Sequence, residues 1–282
     1  MPPTVPPPPV PPVRLSPGTL PQLLEAATGR SAAQRPDGDA TVDYEALLER
    51  FYRRVLGAGS VCVDVGAHRG RHTFPMAACV GPSGRIYAFE PLPDIRAMLV
   101  QSVASAGLRG VIDVSAFALA DFAGRATFVV AERALEESGL RERRYNVPTT
   151  THQIEVDVAR MDDALPSDLT ALRYIKIDCE GAEWSVLQGA ARTIATFRPF
   201  VSFEFGEAAY GAYGTNPADV HRFFVKQDYV VLDILGRRLD EAEFAASSVR
   251  QELWDYIAAP SDSARMALQA LRRSPLERLL RR

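Results

Sequence analysis

The sequence predicts an α/β fold in which helices cover both faces of a mostly parallel β-sheet. Short apolar runs rich in β-branched residues alternate with amphipathic stretches along most of the chain, as in parallel sheets buried between helices. The most informative unit is the strand from Val61 to Val63, the helix after it, and the strand from Arg85 to Glu90. Asp64 and Glu90 stand at the carboxyl ends of these strands, where open α/β sheets bind ligands.

Two segments are predicted before the main domain. Residues 1–18 are rich in proline, which favours a polyproline II or disordered leader. Residues 19–57 form a predicted N-terminal helical segment. Its last part, from Tyr44 to Leu56, carries apolar residues at the spacing of a helix that lies on a sheet. The main domain is predicted to extend from residue 58 to residue 260.

The first half of the main domain follows from apolar periodicity and from breaks at Gly and Pro. The predicted elements are a helix from His72 to Val80, the strand from Arg85 to Glu90, a helix entered at Pro91, and a third strand from Val111 to Leu119. An added β-hairpin follows, with antiparallel strands from Ala126 to Val130 and from Ile154 to Ala159.

The stretch from Glu132 to Gln153 inside this hairpin is charged and irregular. A loop of that length is either a binding lid or a disordered segment, and the composition does not decide between them. Arg141, Arg143 and Arg144 are consistent with an anionic acceptor and equally with a solvated run of charges.

The second half of the domain continues the alternation of strands and helices. The predicted strands are Tyr174 to Asp178, Phe200 to Phe205, Tyr229 to Leu235 and Leu253 to Ala258, and the predicted helices are Ala182 to Phe197 and Pro217 to Lys226. Residues 261–282 form a predicted amphipathic, Arg-rich helix. It is expected to pack on its own domain or on a second copy of the chain, as a homodimer, rather than on an acidic membrane surface.

Composition excludes several classes of function. The 282 residues are 47% hydrophobic and carry a net charge of −3 with a pI of about 5.9, which gives no electrostatic case for nucleic acid binding. No apolar run approaches the roughly 20 residues that span a bilayer. The prolines of the N-terminus do not suit a secretory signal. The three cysteines lack metal-site spacing, so we expect buried thiols and a cytoplasmic protein.

The turn after the first strand indicates the class of ligand. Its glycines stand as Gly66-x-x-x-Gly70 behind Asp64, whereas a dinucleotide site requires G-x-G-x-x-G and disfavours an acidic lead residue. A carboxylate at Asp64 suits the amino and sulfonium cations of S-adenosylmethionine. Glu90 suits the ribose hydroxyls of either cofactor. A nicotinamide-dependent oxidoreductase therefore remains only as the less favoured alternative.

Three stretches together match a known family: DVGAHRG at 64–70, AFEP at 88–91 and KIDCEGAE at 176–183. They resemble the FkbM-type methyltransferases over about residues 58 to 235. The resemblance implies a Rossmann-like class I methyltransferase fold with a seven-stranded sheet and S-adenosylmethionine as donor. It further implies O-methylation of a hydroxyl on a sugar, lipid or polyketide-type acceptor. His68 and Arg69 depart from the DVGANxG usual in this family, so the contact to the methionine end of the cofactor is changed in kind.

The predicted site residues fall into two groups. The residues expected to bind the cofactor are Asp64, Gly66, Ala67, His68, Gly70, Thr73, Glu90, Ala118 and Asp178. Since an alcohol is a poor nucleophile until it loses its proton, a general base is expected. Asp178 is the leading candidate for that base, and Glu180 or Glu204 is expected to assist from neighbouring strand ends.

The sequence also bears on a metal site and on a non-catalytic role. His68 and His72 have no third ligand within sequence reach, so a zinc site is disfavoured. A carboxylate cluster is compatible with Mg²⁺, but the sequence does not require it. A binding module that keeps the S-adenosylmethionine pocket without catalysis stays open as an alternative.

Overall fold

The computed structural model describes residues 44–251 and 253–272, together with the backbone of a short antiparallel pair, β1 (Val13–Arg14) and β2 (Thr41–Val42). The predicted Pro-rich leader, apart from β1, and most of the helical segment before Tyr44 lie outside the described residues. So do residues 273–282 of the predicted C-terminal helix.

A central sheet of eight strands forms the middle layer and confirms the predicted mostly parallel α/β fold. The strands are β3 (Val61–Val65), β4 (Arg85–Phe89), β5 (Ile112–Ser115), β9 (Tyr174–Ile177), β10 (Phe200–Glu204), β11 (Tyr229–Asp233), β12 (Arg238–Leu239) and β13 (Asp255–Pro260). Their order in the sheet is β12-β11-β13-β10-β9-β3-β4-β5, with β13 antiparallel to both of its neighbours. The resemblance implied seven strands, and the eighth is the two-residue edge strand β12.

Helices cover both faces of this sheet, as predicted. The helices are α1 (Tyr44–Val55), α2 (Thr73–Val80), α3 (Pro93–Ser105), α4 (Met161–Ala164), α5 (Glu183–Gly189), α6 (Ala191–Phe197), α7 (Glu207–Tyr210), α8 (Pro217–Lys226), α9 (Glu241–Arg250) and α10 (Ala264–Arg272). On one face of the sheet, α1, α2, α3 and α10 contribute to an apolar cluster that includes Phe51, Met76 and Leu99. On the other face, α5, α6, α8 and α9 contribute to a cluster that includes Val186, Phe224 and Phe244.

The predicted third strand, Val111 to Leu119, is wrong as a single element. The strand ends at Ser115, the last residue of β5, and the N–H of Phe117 donates to the side-chain oxygen of Ser115 at 3.4 Å. The chain then enters β6 (Ala118–Leu119), which pairs with the hairpin instead of the central sheet. This break lets residues 117 and 118 face the ligand-binding edge.

The predicted helix from Ala182 to Phe197 is also two helices, α5 and α6, which meet at Ala190. A Cβ at Gly189 would lie 1.9 Å from the carbonyl oxygen of Ala120, so the end of α5 is pressed against the neighbouring turn. The carboxylate of Asp162 accepts the N–H groups of Arg192 and Thr193 at 3.1 and 2.8 Å. Because this side chain accepts hydrogen bonds from the free N–H groups of a new N-terminus, a second helix begins after Ala190.

The predicted hairpin is confirmed as β7 (Gly124–Ala131) and β8 (Thr151–Ala159), which pair antiparallel and join β6 in a three-stranded sheet. The segment between them is ordered, with a 3₁₀ turn at Leu135–Glu137 and a bridge from Gly139 to Val129. We call residues 132–150 the insertion segment. Of the two alternatives for this segment, this regular structure favours the lid.

The C-terminal helix packs on its own domain over the part that the structure describes. Ala267, Ala270 and Leu271 are buried in the same cluster as α1, and the Arg54 guanidinium donates to the carbonyl oxygen of Ala270. None of the helices within residues 44–251 and 253–272 combines the length and apolar character that crossing a membrane demands.

Candidate active site

A pocket opens at the carboxyl ends of β3, β4 and β9, and the insertion segment covers one side of it. Leu135, Glu136, Ser138 and Leu140 of that segment line the pocket, which supports the lid alternative. Most of the predicted site residues line it as well: Asp64, Gly66, Ala67, His68, Glu90, Ala118, Asp178 and Glu180. The lining does not include Gly70, Thr73 or Glu204, each of which contacts a residue that lines the pocket.

Asp64 presents one free oxygen to the pocket. The side chain is only 1% exposed, and its Oδ2 accepts the Thr73 hydroxyl at 2.6 Å. Its Oδ1 lies 3.8 Å from the Lys176 ammonium and accepts no hydrogen bond within the described chain. Because a buried carboxylate oxygen without a partner is costly, this atom fits a cationic ligand group. Thr73 orients Asp64 and does not itself reach the pocket.

The two glycines of the turn are required for packing. Gly66 has φ +74°, and a Cβ there would lie 1.8 Å from the carbonyl oxygen of Asp178. Gly70 has φ +86°, and a Cβ there would lie 2.5 Å from the Phe74 ring. Gly66 therefore allows β3 and β9 to bring Asp64 and Asp178 to one edge of the sheet, and it also lines the pocket.

His68 and Glu90 form the next part of the wall. The His68 backbone adopts φ 46°, and its N–H donates to Glu90 Oε2 at 2.8 Å, while the Leu92 N–H donates to Oε1 at 2.9 Å. Each carboxylate oxygen keeps a second lone pair for a ligand hydroxyl. His68 Nε2 is buried without a hydrogen-bond partner in the described chain. Burial, helped by Arg69, lowers the pKa of His68, so its imidazole is neutral.

A coupled pair of carboxylates, Asp178 and Glu204, stands at the ends of β9 and β10. Burial raises the pKa of Asp178, but the Lys176 ammonium, 3.0 Å from its Oδ2, outweighs burial and lowers it below the usual range. Burial and the charges of Asp178 and Asp255 raise the pKa of Glu204 well above its usual range. Glu204 therefore holds a proton and hydrogen-bonds to an ionised Asp178.

Glu180, the second predicted assisting carboxylate, is paired with Arg143 of the insertion segment. The Arg143 side chain is only 3% exposed, so it belongs neither to a solvated run of charges nor to an open anion site. Arg141 packs over the ring of Tyr213, with 5.3 Å between the guanidinium carbon and the ring centroid. Because of this pairing, Glu180 is not a free carboxylate in the pocket. The ion pair also connects the insertion segment to the residues that follow β9.

One oxygen each of Asp178, Glu180 and Glu204 lies within 4.8 Å of the others, a spacing that a divalent cation can bridge. Protein cations already compensate two of these carboxylates, through Lys176 and Arg143. His72, considered for a zinc pair with His68, directs Nδ1 to the Tyr52 hydroxyl and Nε2 to Glu45.

Sequence reasoning missed Lys176, Glu45 and Asp255. Lys176 stands two residues before Asp178 on the same strand face, so its place was readable from the KIDCEGAE stretch. Asp255 reaches the site because it pairs with Glu204 across the antiparallel strands. Glu45 reaches it from α1. No local sequence pattern indicated a site role for Asp255 or Glu45.

Replacing Arg143 by Gln should lower the free energy of unfolding by about 3 kcal/mol, because Glu180 is left with an uncompensated, largely buried charge. Urea denaturation followed by circular dichroism measures this. The double variant R143Q/E180Q should recover part of the loss. R125Q removes the exposed pair with Asp157 on the same hairpin, and should change the free energy by less than about 1 kcal/mol. A value for R143Q as small as that for R125Q would contradict a structural role for the buried pair.

Comparisons with known proteins agree with this geometry. Residues 64–231 match the methyltransferase FkbM domain family. No curated protein matches the sequence.

The chain is also similar to several solved structures. Methyltransferase FkbM from Methylobacillus flagellatus KT is 16% identical, with a TM-score of 0.46 over 84% of this chain and 58% of that chain. Aeropyrum pernix fibrillarin, in complex with natively bound S-adenosyl-L-methionine, is 13% identical, with a TM-score of 0.40 over 80% of each chain. An rRNA methylase from Streptococcus thermophilus is 11% identical, with a TM-score of 0.41 over 81% of this chain and 96% of that chain.

Proposed function

Since the chain belongs to the FkbM methyltransferase family, we propose that it methylates a hydroxyl oxygen of a small-molecule acceptor. S-adenosylmethionine is the methyl donor, and the acceptor is of the sugar, lipid or polyketide type. The observation that carries the proposal is an ionised Asp178, 27% exposed, on the wall of a pocket that also holds Asp64 and Glu90.

The residues of the pocket fit S-adenosylmethionine. Asp64 Oδ1 is a buried acceptor without a donor, and it suits the amino group of the cofactor. Glu90 keeps two lone pairs for the ribose hydroxyls. His68 Nε2 is a buried atom without a partner in the described chain, and it suits the methionine end. The assignments of Asp64 and His68 support the proposal because each leaves one fewer buried polar atom unpaired.

The bound donor supplies an electrophilic methyl group, and the side chains position and deprotonate the acceptor. The ionised carboxylate of Asp178 would accept the hydrogen bond of the acceptor hydroxyl and so orient its oxygen. It would take the hydroxyl proton as the methyl group is transferred from the donor sulfur to that oxygen. A carboxylate with a lowered pKa is sufficient as base here, because the oxygen becomes strongly acidic once it is alkylated. Lys176 and the protonated Glu204 hold Asp178 in place.

Accumulation of S-adenosylhomocysteine in the presence of hydroxylated acceptors tests the proposal. Purified protein is incubated with S-adenosylmethionine and a panel of monosaccharides, hydroxylated lipids and macrolactones, and the demethylated cofactor is quantified by mass spectrometry. We expect at least one class to raise its rate of formation above the acceptor-free background. Tight binding of the cofactor with no turnover on any class would instead favour the non-catalytic binding module.

The proposal includes the predicted cytoplasmic location. Cys62, Cys79 and Cys179 are all free thiols. Burial raises the pKa of Cys62 and of Cys179, so both stay protonated and unreactive. Unpaired thiols of this kind are typical of a reducing compartment.

A further inference from the structure

Helix α1 brings an acidic side chain to the pocket from outside the region that matches the family. Glu45 stands in the first turn of α1, well before residue 64, where the match begins. Its side chain lines the pocket and is 33% exposed there. The other pocket-lining carboxylates described above come from strand ends or from the insertion segment, so Glu45 closes a different side of the site.

A buried pair of side chains fixes the Glu45 carboxylate. The Tyr52 hydroxyl lies 3.1 Å from His72 Nδ1, and His72 Nε2 contacts Glu45 Oε2. Burial raises the pKa of Tyr52, so the hydroxyl keeps its proton. We assign this O–H as the donor to Nδ1, which leaves the N–H on Nε2 to donate to the Glu45 carboxylate. Both partners are almost fully buried. Glu45 is therefore held at a defined position, with its second oxygen left to the pocket.

Glu49, one helical turn further along α1, shows by contrast what a compensated carboxylate looks like in this helix. It accepts from Arg71 at 2.7 Å and from Arg53 at 2.9 Å, and it does not line the pocket. Burial raises the pKa of Glu45, but the hydrogen bond from His72 and the charge of Lys176 outweigh burial and lower it. Glu45 thus stays ionised beside the reaction centre.

We propose that Glu45 is an acceptor-binding residue, which takes an O–H or N–H donor group of the acceptor at the part of the pocket that α1 lines. The inference rests on the proposed function, since it assigns the acceptor site of that same reaction. An ionised carboxylate can only accept hydrogen bonds, so the acceptor must carry a donor there. Glu45 and Asp178 line the same pocket, so an acceptor group bound by Glu45 shares that pocket with the proposed base.

Sinefungin is the probe for this inference, because a primary ammonium replaces the methyl sulfonium and projects towards the acceptor. Isothermal titration compares S-adenosylhomocysteine and sinefungin on the full-length wild-type chain, E45Q and the matched control E49Q. E45Q should weaken sinefungin about tenfold, since one ionised carboxylate near the ammonium is lost. It should leave S-adenosylhomocysteine, which lacks the positive group, within about twofold. E49Q should change neither affinity.

The outcomes separate this inference from the proposed function. Equal weakening of both ligands by E45Q would show that Glu45 is structural, and no weakening of sinefungin would show that it does not face the reaction centre. Either result overturns the inference. Failure of the wild-type chain to bind S-adenosylhomocysteine would instead contradict the proposed function.

If E45Q does not fold by circular dichroism, E45D provides the same comparison, because it keeps the charge and withdraws it by one methylene. The inference then requires a selective loss of sinefungin affinity.

Discussion

Asp64→Asn is expected to abolish measurable binding of S-adenosylmethionine, with a rise in Kd of at least about 100-fold. The substitution keeps an oxygen for the Thr73 hydroxyl, which Oδ2 accepts at 2.6 Å, and it removes the negative charge. The cofactor amino group then has no anionic partner, and loss of one member of a buried charge pair costs roughly 2–5 kcal/mol. Isothermal titration with S-adenosylmethionine and S-adenosylhomocysteine measures the change.

Asp233→Asn is the matched control for Asp64→Asn. Asp233 is also a buried aspartate on a strand of the central sheet, and its Oδ1 accepts the N–H groups of Leu235 and Arg237 at 3.0 and 2.8 Å. It does not line the pocket, so its loss should leave cofactor affinity within about twofold. Near wild-type affinity in a folded D64N variant would contradict the electrostatic basis on which S-adenosylmethionine was preferred to a dinucleotide.

The parts of the fold that sequence predicted well are those with a local cause. Helix α8 has the predicted bounds, Pro217–Lys226, because Asn216 caps it and Pro217 suits its first position. The buried strands β3 and β9 follow from apolar runs that end in acid. The break at Ala190 was missed because its cause is tertiary: Gly189 is pressed against Ala120, which is distant in sequence.

The same distinction holds within the site. Asp64, Glu90 and Asp178 were predicted because each directly ends or follows its own strand. Lys176, which keeps Asp178 ionised, could be placed beside it from the period of the strand. Arg143 comes from the insertion segment, so its pairing with Glu180 is visible only in the folded chain. Whether each predicted carboxylate is ionised, protonated or paired depends on contacts between elements, so the local sequence identifies the candidates but not their protonation states.

Asp178→Asn is expected to reduce turnover by about 1,000-fold, within the range usual for loss of a general base, and to leave the Kd of S-adenosylmethionine within about threefold. Asparagine keeps the shape of the side chain but cannot take the hydroxyl proton. The measurement is the rate of S-adenosylhomocysteine formation with whichever hydroxylated acceptor the panel identifies, beside isothermal titration of the cofactor and a thermal melt that confirms folding.

Glu204→Gln is the control that makes the Asp178 result specific. Since the pKa of Glu204 is raised well above its usual range, Glu204 is protonated, and a glutamine amide can replace its hydrogen bond to Asp178. We expect E204Q to keep turnover within about tenfold of the wild type. The lowered pKa of Asp178 also predicts that turnover falls only once the pH drops below the ordinary titration range of an aspartate, since protonation removes the base. Turnover in D178N equal to that in E204Q would show that a different group takes the proton.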